Sequence, residues 1–188
     1  MSASRSDALE LVVSELTGGA RENAVPVIID SFTGIYRWHA KRTLRSVSRV
    51  RGAWRSGELV GVSMLELLDP AVGYVYYLAV LRTHRRSGVA RRLLDDALDL
   101  FRSAGARVVF AAAEEDNSAS LRLFGERGFR PTAPKERSWR EGGLGAWGFR
   151  SRMMVVSGEL LLGLRLSPEP DSPAAAPGSE APPRGPTS

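Results

Sequence analysis

The stretch Tyr76–Arg92, which reads YYLAVLRTHRRSGVARR, constrains the fold of this chain more than any other. It begins inside an apolar and aromatic run, Val75–Leu81, that predicts a buried strand. A basic turn, Arg82–Gly88, comes next, and the segment Val89–Arg102 has the apolar spacing of an amphipathic helix. A strand, a basic glycine turn and a helix start in this order predict a phosphate-binding site, because the free N–H groups and the dipole of a helix N-terminus favour negative charge.

Three residues of the turn support this interpretation. Gly88 has no Cβ and tolerates a positive φ, so the backbone can approach a ligand closely. Arg85 and Arg86 add positive charge and forked donors that suit phosphate oxygens. The turn therefore predicts a ligand that carries phosphate.

The segments on either side of this unit predict a mixed sheet. Upstream, residues 8–16 predict a strand, 21–45 a helical region, and 47–55 with 58–68 a hairpin that turns at Ser56 and Gly57. Downstream, 107–113 predicts a buried strand, 116–127 a capped helix, and 129 onward, 153–156 and 160–166 further strands. The chain is expected to be an α/β (α+β) protein, with a mostly antiparallel sheet flanked by helices around a central β-α-β unit.

Composition excludes several kinds of site. The chain of 188 residues has no cysteine, so thiol catalysis, disulfides and cysteine metal sites are excluded. His39 and His84 are its only histidines, which excludes a multi-histidine metal site, and no metal is predicted. Neither a signal peptide nor an apolar run long enough to span a bilayer is found, so a cytoplasmic location without membrane contact is expected.

The distribution of charge and of apolar residues predicts the domain organisation. Residues 1–166 are expected to form a single domain, and 167–188, rich in Pro, Ala and Ser, a disordered tail. The net charge of +5 comes almost entirely from arginine and reflects either a compositional bias or an anionic partner. Residues 37–55 are strongly basic, and they form either a solvated surface or a contact for nucleic acid.

Two motifs connect this chain to a known family. The first, Arg85-Arg86-Ser87-Gly88-Val89-Ala90, follows the predicted strand directly. The second runs from Asn117 to Phe129 and reads NSASLRLFGERGF. In these motifs the chain resembles the GCN5-related N-acetyltransferases, the GNAT family, which move an acetyl group from acetyl-CoA to an amine. The resemblance covers about residues 74–130 and implies a GNAT-like fold with acetyl-CoA as co-substrate.

The resemblance implies a role for each part of the central unit. Backbone groups of Leu78 and Val80 would pair with the pantetheine arm of acetyl-CoA as with an added strand. Backbone N–H groups from Arg86 to Arg91 would hold the pyrophosphate. Asn117 would contact the cofactor beside its thioester, or would act only as a helix cap. The expected cofactor-binding residues are Leu78, Ala79, Val80, Arg85, Arg86, Ser87, Gly88, Val89, Ala90, Arg91, Asn117 and Phe124.

Three positions at which family members carry an acid or a base hold other residues here. Phe124 stands where many members have a tyrosine that is placed to protonate the CoA thiolate. Ala112 and Tyr74 stand where some members have a glutamate. The candidates for the missing groups are Glu66, Tyr76, Tyr77 and Glu115, with Tyr76 or Tyr77 as the donor in place of Phe124; Glu114 follows the same strand as Glu115.

The chemistry is still expected to proceed. A thioester is already activated, and positioning an amine against its carbonyl supplies up to about 7–11 kcal/mol. Direct attack in a ternary complex is the expected mechanism, since the lack of cysteine removes the commonest acyl carrier, although serine stays open.

The predicted function is therefore acetyl-CoA-dependent N-acetyltransfer, an acyltransferase activity of EC 2.3.1 type. The acceptor is expected to be an amine of a small molecule, a peptide N-terminus or a lysine, and Trp139 and Trp147 are candidates for its groove. Two alternatives stay open: a non-catalytic acyl-CoA-binding module on the same fold and, with less support, a basic nucleic-acid-binding protein. Members of this fold often pair through their last strands, so the run Gly158–Leu164 is either a homodimer edge or part of the core.

Overall fold

The computed structural model describes residues 10–132, 153 and 158–166. In this part of the chain seven strands form one sheet in the order β1-β2-β3-β4-β5-β7-β6, and helices lie on both of its faces. The strands are β1 Leu11–Glu15, β2 Arg49–Arg55, β3 Glu58–Asp69, β4 Val72–Val80, β5 Val108–Glu114, β6 Arg130–Pro131 and β7 Glu159–Arg165. The helices are α1 Ala24–Ser31, α2 Gly34–Ser46, α3 Val89–Ser103 and α4 Ser118–Glu126. The predicted class, a mostly antiparallel sheet flanked by helices, is confirmed.

The first four strands form an antiparallel meander, as the sequence predicts. The β2–β3 hairpin turns at Ser56 and Gly57, whose φ angles of 52° and 82° are both positive. Two consecutive positive φ angles are characteristic of the tight hairpin turns whose twist matches that of the strands. The Ser-Gly dipeptide was therefore a valid turn signal.

The central β-α-β unit joins β4 through α3 to β5. Strands β4 and β5 pair in parallel, from Val72 opposite Val108 to Val75 opposite Ala111. All other strand pairs among the described residues are antiparallel. The predicted crossover unit is therefore present at the centre of the sheet.

Each face of the sheet has its own apolar core. On one face α3 and α4 pack over β4 and β5, with Leu94, Leu98, Phe101, Val109, Ala111 and Phe124 among the buried residues. On the other face α1 and α2 pack over β2, β3 and β4, with Val27, Ile28, Leu44, Val62 and Met64 buried. Burying both faces explains why β3 and β4 read as nearly continuous apolar runs.

Helix α3 packs closely against the sheet because two sheet residues beneath it are glycines. A Cβ added at Gly73 would come within 2.6 Å of the Phe101 ring, and one at Gly61 within 2.7 Å of Val89 Cγ1. Side chains larger than hydrogen would therefore push both ends of the helix away from β3 and β4.

Two ion pairs tie the same helix to its neighbours. Arg51 of β2 donates from Nε and Nη2 to the Asp96 carboxylate, both at 2.8 Å. Arg127, just after α4, makes a second two-bond contact with Asp95, and its hydrogen bonds lower the pKa of that carboxyl. Adjacent aspartates thus hold α3 to β2 on one side and to the end of α4 on the other.

The structure differs from the sequence prediction in three segments. The helical region 21–45 is two helices, because Phe32 and Thr33 are extended and end α1 before α2 begins. Met153 is helical rather than extended, and residues 154–156 lie outside the described part of the chain. The strand predicted from residue 129 is only the two-residue β6.

Some predictions are not tested by the described residues. Residues 167–188, and the hairpin or loop predicted around Trp139 and Trp147, lie outside them. The division into a domain of 1–166 and a tail therefore stays a prediction. None of the helices that are described has the length and hydropathy that crossing a bilayer requires.

Candidate functional site

Strands β4 and β5 separate in the middle of the sheet. Their pairing ends at Val75 and Ala111, although β4 continues to Val80 and β5 to Glu114. The separation begins at a β-bulge, because Met64 lies opposite Tyr77 and Leu65 opposite Val75, which leaves Tyr76 as an extra residue in β4. Bulges bend a strand and interrupt its pairing.

The separation gives β4 an open edge inside the sheet. Leu78, Ala79 and Val80 lie on this segment, and on its other side they pair with β3. Alternate backbone N–H and C=O groups of the segment point toward the opening, where an extended ligand can pair with them. The three predicted strand residues are thus brought together beside an opening of the expected kind.

The N-terminus of α3 lies at the same end of β4. The Arg92 N–H donates to the Gly88 carbonyl at 3.0 Å, so the N–H groups of Val89, Ala90 and Arg91 precede the first intrahelical bond. Gly88 has a φ of 84° and nothing within 4 Å of the position a Cβ would take. Glycine is therefore required there for its backbone conformation, and the space above it is free for an anion.

The arginines around this turn have different partners. Arg82 donates from its backbone N–H and from Nε to Asp30, and Arg91 forms an ion pair with Glu126 at 2.9 Å. Arg85 folds back toward the end of β4, with Nε 3.5 Å from the Val80 carbonyl. Arg86 is exposed and has a φ of 60°, uncommon for a residue with a side chain. Among these residues Arg86 is the one best placed to meet a phosphate from solvent.

Asn117 and Phe124 occupy the helix after β5. Asn117 caps α4, and its Oδ1 accepts a hydrogen bond from the Ser120 N–H at 3.1 Å. The cap uses the amide oxygen and leaves the Nδ2 donors for another acceptor. Phe124 is buried and packs edge-to-face against Phe129 at 5.1 Å between ring centroids. Phe124 is therefore part of the apolar core under α4 and offers no polar group.

An acidic pair lies on the opposite side of the sheet, facing α1 and α2. Glu114 ends β5, and Glu159 lies directly opposite it in β7. Both carboxylates lie close enough to the hydroxyl of Tyr36, which comes from α2, to interact with it electrostatically. Burial and these two carboxylates raise the pKa of Tyr36 to about 12, so its hydroxyl stays protonated at neutral pH. Two carboxylates beside a neutral hydroxyl favour the binding of a cation.

Three tyrosines of β4 line the approach to this pair. Burial, followed by the Glu159 charge, raises the pKa of Tyr77 to about 12, and its ring lies against Phe32 at 5.4 Å. Burial also raises the pKa of Tyr74 strongly, and its hydroxyl donates to the Met153 carbonyl. Tyr76 packs edge-to-face on Tyr74 at 4.7 Å. Tyr74 and Tyr77 therefore stay neutral near pH 7, so their hydroxyls can donate protons but cannot act as bases.

The two predicted glutamates have other surroundings. The Glu66 carboxylate accepts a hydrogen bond from the Ser48 N–H at 2.8 Å, which ties β3 to the loop before β2. Glu115 is exposed, and its backbone N–H donates to Gly158. The glutamate of β5 that interacts with Tyr36 is Glu114 instead, which shares its side of β5 with Phe110 and Ala112.

Sequence analysis missed most of this acidic pair and its tyrosine. One signal was available: Ala112, where some family members have a glutamate, and Glu114 are two residues apart in a strand and so point the same way. Tyr36 and Glu159 gave no such signal, because only the tertiary fold brings α2 and β7 together.

Five arginines of the basic stretch 37–55 make intramolecular contacts in different parts of the fold. Arg37 donates to Phe32 O at 2.8 Å, Arg42 lies over Trp38, Arg49 pairs with Glu15, Arg51 with Asp96, and Arg55 contacts Ser87. No group of residues suited to a metal ion occurs in the described ranges.

The chain is similar to known proteins both in its sequence and in its fold. The sequence model of the acetyltransferase (GNAT) family matches residues 21–129. The chain is 32% identical over 102 residues to the N-alpha-acetyltransferase RimI of Mycobacterium tuberculosis, covering 53% of this chain and 63% of that protein. The chain spans less than two thirds of the length of the curated relatives it matches.

Solved structures share the fold at lower identity. The ribosomal-protein-S18-alanine N-acetyltransferase of Escherichia coli superposes with a TM-score of 0.63 at 13% identity, covering 87% of this chain and 98% of that one. A GNAT family acetyltransferase of Elizabethkingia anophelis with acetyl-CoA bound gives 0.63 at 16% identity, covering 83% and 98%. These likenesses confirm the predicted GNAT-like fold.

Proposed function

Because the chain belongs to the acetyltransferase (GNAT) family, we propose that it is an acetyl-CoA-dependent N-acetyltransferase of EC 2.3.1 type whose acceptor is the α-amine of a polypeptide. One observation carries this proposal. The opening between β4 and β5 has an anion-binding helix start at one end and, on the face of α1 and α2, the cation-binding pair Glu114 and Glu159. A phosphate-bearing acyl donor and an amine can thus approach each other from two sides of the sheet.

The residues present fit acetyl-CoA. Leu78 and Val80 present an open strand edge to the pantetheine arm, and the N–H groups of Val89–Arg91 face the position of the pyrophosphate. Asn117 keeps its Nδ2 donors beside the opening for a carbonyl of the arm. Bound acetyl-CoA supplies an activated thioester, whose acyl C–S bond breaks as the C–N bond to the amine forms.

The acceptor enters as an ammonium group. Glu114 and Glu159 attract it, and Glu114 accepts its proton directly or through one water. The Tyr36 hydroxyl keeps its proton and can donate a hydrogen bond to one of these carboxylates, which would orient that carboxylate. The Tyr77 hydroxyl, protonated below about pH 12, is our donor to the CoA thiolate in place of Phe124. This arrangement needs no acyl-enzyme.

An α-amine suits this site better than a lysine. The usual pKa of an α-amino group is about 7.7–8.0, against about 10.4 for lysine, so far more of it is free base at neutral pH. A chain without a glutamate at residues 74 and 112 can rely on that lower pKa. The RimI relative is named an N-alpha-acetyltransferase, and the Escherichia coli enzyme a ribosomal-protein-S18-alanine N-acetyltransferase. Both names agree with an α-amine as the acceptor.

The test is an acetylation assay with matched peptides. The protein is incubated with acetyl-CoA and either a pool of peptides with free N-termini or the same pool with blocked N-termini and internal lysines. Thiol release is followed with a thiol reagent, whose background is low because the protein has no cysteine. We expect release with the first pool at least tenfold above the second. Equal rates would exclude the preference for the α-amine.

The same assay addresses the alternatives. CoA binding without turnover on any amine would indicate a non-catalytic acyl-CoA-binding module. Binding of RNA that is steeply salt-dependent and indifferent to CoA would instead support the nucleic-acid hypothesis.

A further inference from the structure

The turn before α3 has a backbone conformation that needs support. Arg86 has a φ of 60° and Gly88 a φ of 84°. A glycine adopts this left-handed conformation without steric cost, but an arginine does not. The conformation at Arg86 persists only if the surrounding structure holds it.

The support comes from Arg55, the last residue of β2. Its Nη1 donates to Ser87 Oγ at 3.1 Å, and its Nη2 donates to the Ser87 carbonyl at 3.2 Å. Ser87 in turn donates from Oγ to the His84 carbonyl at 2.6 Å. Ser87 lies between the two left-handed residues, so the guanidinium holds the turn at its centre.

The remaining nitrogen of Arg55, Nε, shows that the contact with Ser87 has an energetic cost. Nε is buried and has no hydrogen-bond partner among the described residues. A buried donor without a partner opposes the fold. The planar guanidinium therefore lies where its two outer nitrogens reach Ser87, rather than where all its nitrogens would be satisfied.

We propose that Arg55 is a positioning residue for the phosphate of acetyl-CoA: it acts through Ser87 to hold the turn so that the N–H groups at the start of α3 stay exposed. Each outer nitrogen gives one N–H group to Ser87, so the proposed role of Arg55 is carried by its contact with Ser87 and needs no contact with the ligand. The proposal rests on the proposed function, because it concerns the phosphate site of that cofactor. It assigns a role to Arg55, which belongs to the basic stretch 37–55 and lies outside the motif Arg85–Ala90.

The test compares ligands that differ in the pyrophosphate. The affinity of CoA and of pantetheine, which lacks the pyrophosphate together with the 3′-phosphoadenosine, is measured by calorimetric titration on the full chain. Arg55→Met should weaken CoA binding about tenfold or more, since hydrogen bonds from a charged donor are lost. Pantetheine affinity should not change. Arg49→Met is the matched control, since Arg49 begins the same strand, is exposed and pairs with Glu15 instead.

Two more variants separate positioning from charge. Arg55→Lys keeps the charge but cannot make the two-pronged contact, so its CoA affinity should stay close to that of Arg55→Met. Ser87→Ala removes the Nη1 acceptor without touching β2, and it tests the contact if Arg55→Met does not fold. In the double variant Arg55→Met/Ser87→Ala the loss should be smaller than the sum of the two single losses, because the contact between Nη1 and Ser87 Oγ is lost in both single variants.

Several results would overturn the inference. Wild-type affinity for CoA in Arg55→Met would remove the role, and full recovery in Arg55→Lys would reduce it to electrostatic attraction. Equal weakening of CoA and pantetheine would mean general damage to the site. If the unmodified protein bound neither ligand, the proposed function itself would fail, and the two failures are thus distinguishable.

Discussion

At the scale of single residues, the proposed acid–base chemistry depends on Glu114. We expect Glu114→Gln to lower kcat by about 10²–10⁴-fold, the usual contribution of a general base, while CoA affinity stays unchanged. Steady-state kinetics on an accepted peptide give kcat, and titration gives the affinity. Glu58→Gln, an exposed change at the β2–β3 hairpin, is the control.

The same substitution at Glu115 decides between the two neighbours. Glu115 was predicted from sequence, whereas Glu114 is the one that interacts with Tyr36. A loss of kcat in Glu115→Gln alone would place the base at Glu115 and contradict the assignment to Glu114.

The raised pKa of Tyr77 leads to a prediction about pH. Its folded pKa of about 12 lies above the ordinary value of 10, so the folded state keeps a proton that the unfolded chain loses as pH rises. This contribution to stability is fully present below pH 10 and is lost between about pH 10 and 12. Tyr77→Phe should therefore unfold with a shallower loss of stability in that window, measured by urea denaturation at a series of pH values. Identical slopes in both proteins would show that the hydroxyl titrates normally.

Residues were predictable where their role is local. The sequence was sufficient to place Gly88 at a left-handed turn and Asn117 at a helix start, because both depend on a few neighbouring residues. The contacts of Tyr36 with Glu114 and Glu159 join segments that are distant in sequence. No local sequence pattern predicts such a contact. Glu115 was predicted from its place after β5, and the direction of its side chain was not used.

At the scale of elements, α3 is the part on which the site depends, and its position is set by glycines below it and ion pairs beside it. Because Arg51 and Asp96 are each only 15% exposed, Asp96→Ala leaves a buried guanidinium without its partner. We expect a loss of about 3–5 kcal/mol in the free energy of unfolding, measured by urea denaturation.

Asp99→Ala is the matched control on the same helix. Asp99 is 74% exposed and pairs with Arg102 one turn away, so the expected loss is at most about 0.5 kcal/mol. A similar small loss in Asp96→Ala would show that the Arg51–Asp96 pair contributes no more than a surface pair does.

The separation of β4 and β5 was the element-scale feature that the sequence did not reveal. Apolar residues continue past Tyr76 without interruption, so nothing marks it as a bulge. A bulge is defined by the register of two strands, and Tyr76 is displaced only because Met64 and Leu65 pair with Tyr77 and Val75. The order of strands and helices, in contrast, could be predicted, because each segment contains its own pattern of apolar residues, its turn residues and its helix caps.

At the scale of the whole molecule, the two faces of the sheet divide the work of the proposed reaction. The helix start of α3, with the motif before it, belongs to the cofactor, and the tyrosines and glutamates toward α1 and α2 belong to the acceptor. The family motifs lie on the side proposed for the cofactor, so the sequence offered a motif for cofactor residues and none for acceptor residues. Acceptor recognition depends on α2 and β7, for which the sequence offered only charge and aromatic content.

The same division leads to a prediction for residues 167–188. The backbone N–H of Leu166 still bonds to Arg107 at 2.8 Å, so the folded chain reaches at least that far. Beyond it the sequence has no aromatic residue and no aliphatic side chain larger than alanine, so the segment has little apolar surface to bury. We propose that the domain ends near Leu166 and that deleting 167–188 changes the free energy of unfolding by no more than about 0.5 kcal/mol.

Ligand-induced stabilisation makes that deletion informative about function as well. CoA at a hundred times its dissociation constant should stabilise the full chain by about 2.7 kcal/mol, through binding to the folded state alone. The truncated chain should show the same increase, because the proposed site lies within β4, α3 and β5. Thermal unfolding with and without CoA measures both quantities. A truncated chain that folds equally well but gains less from CoA would show that the deleted segment takes part in the cofactor site.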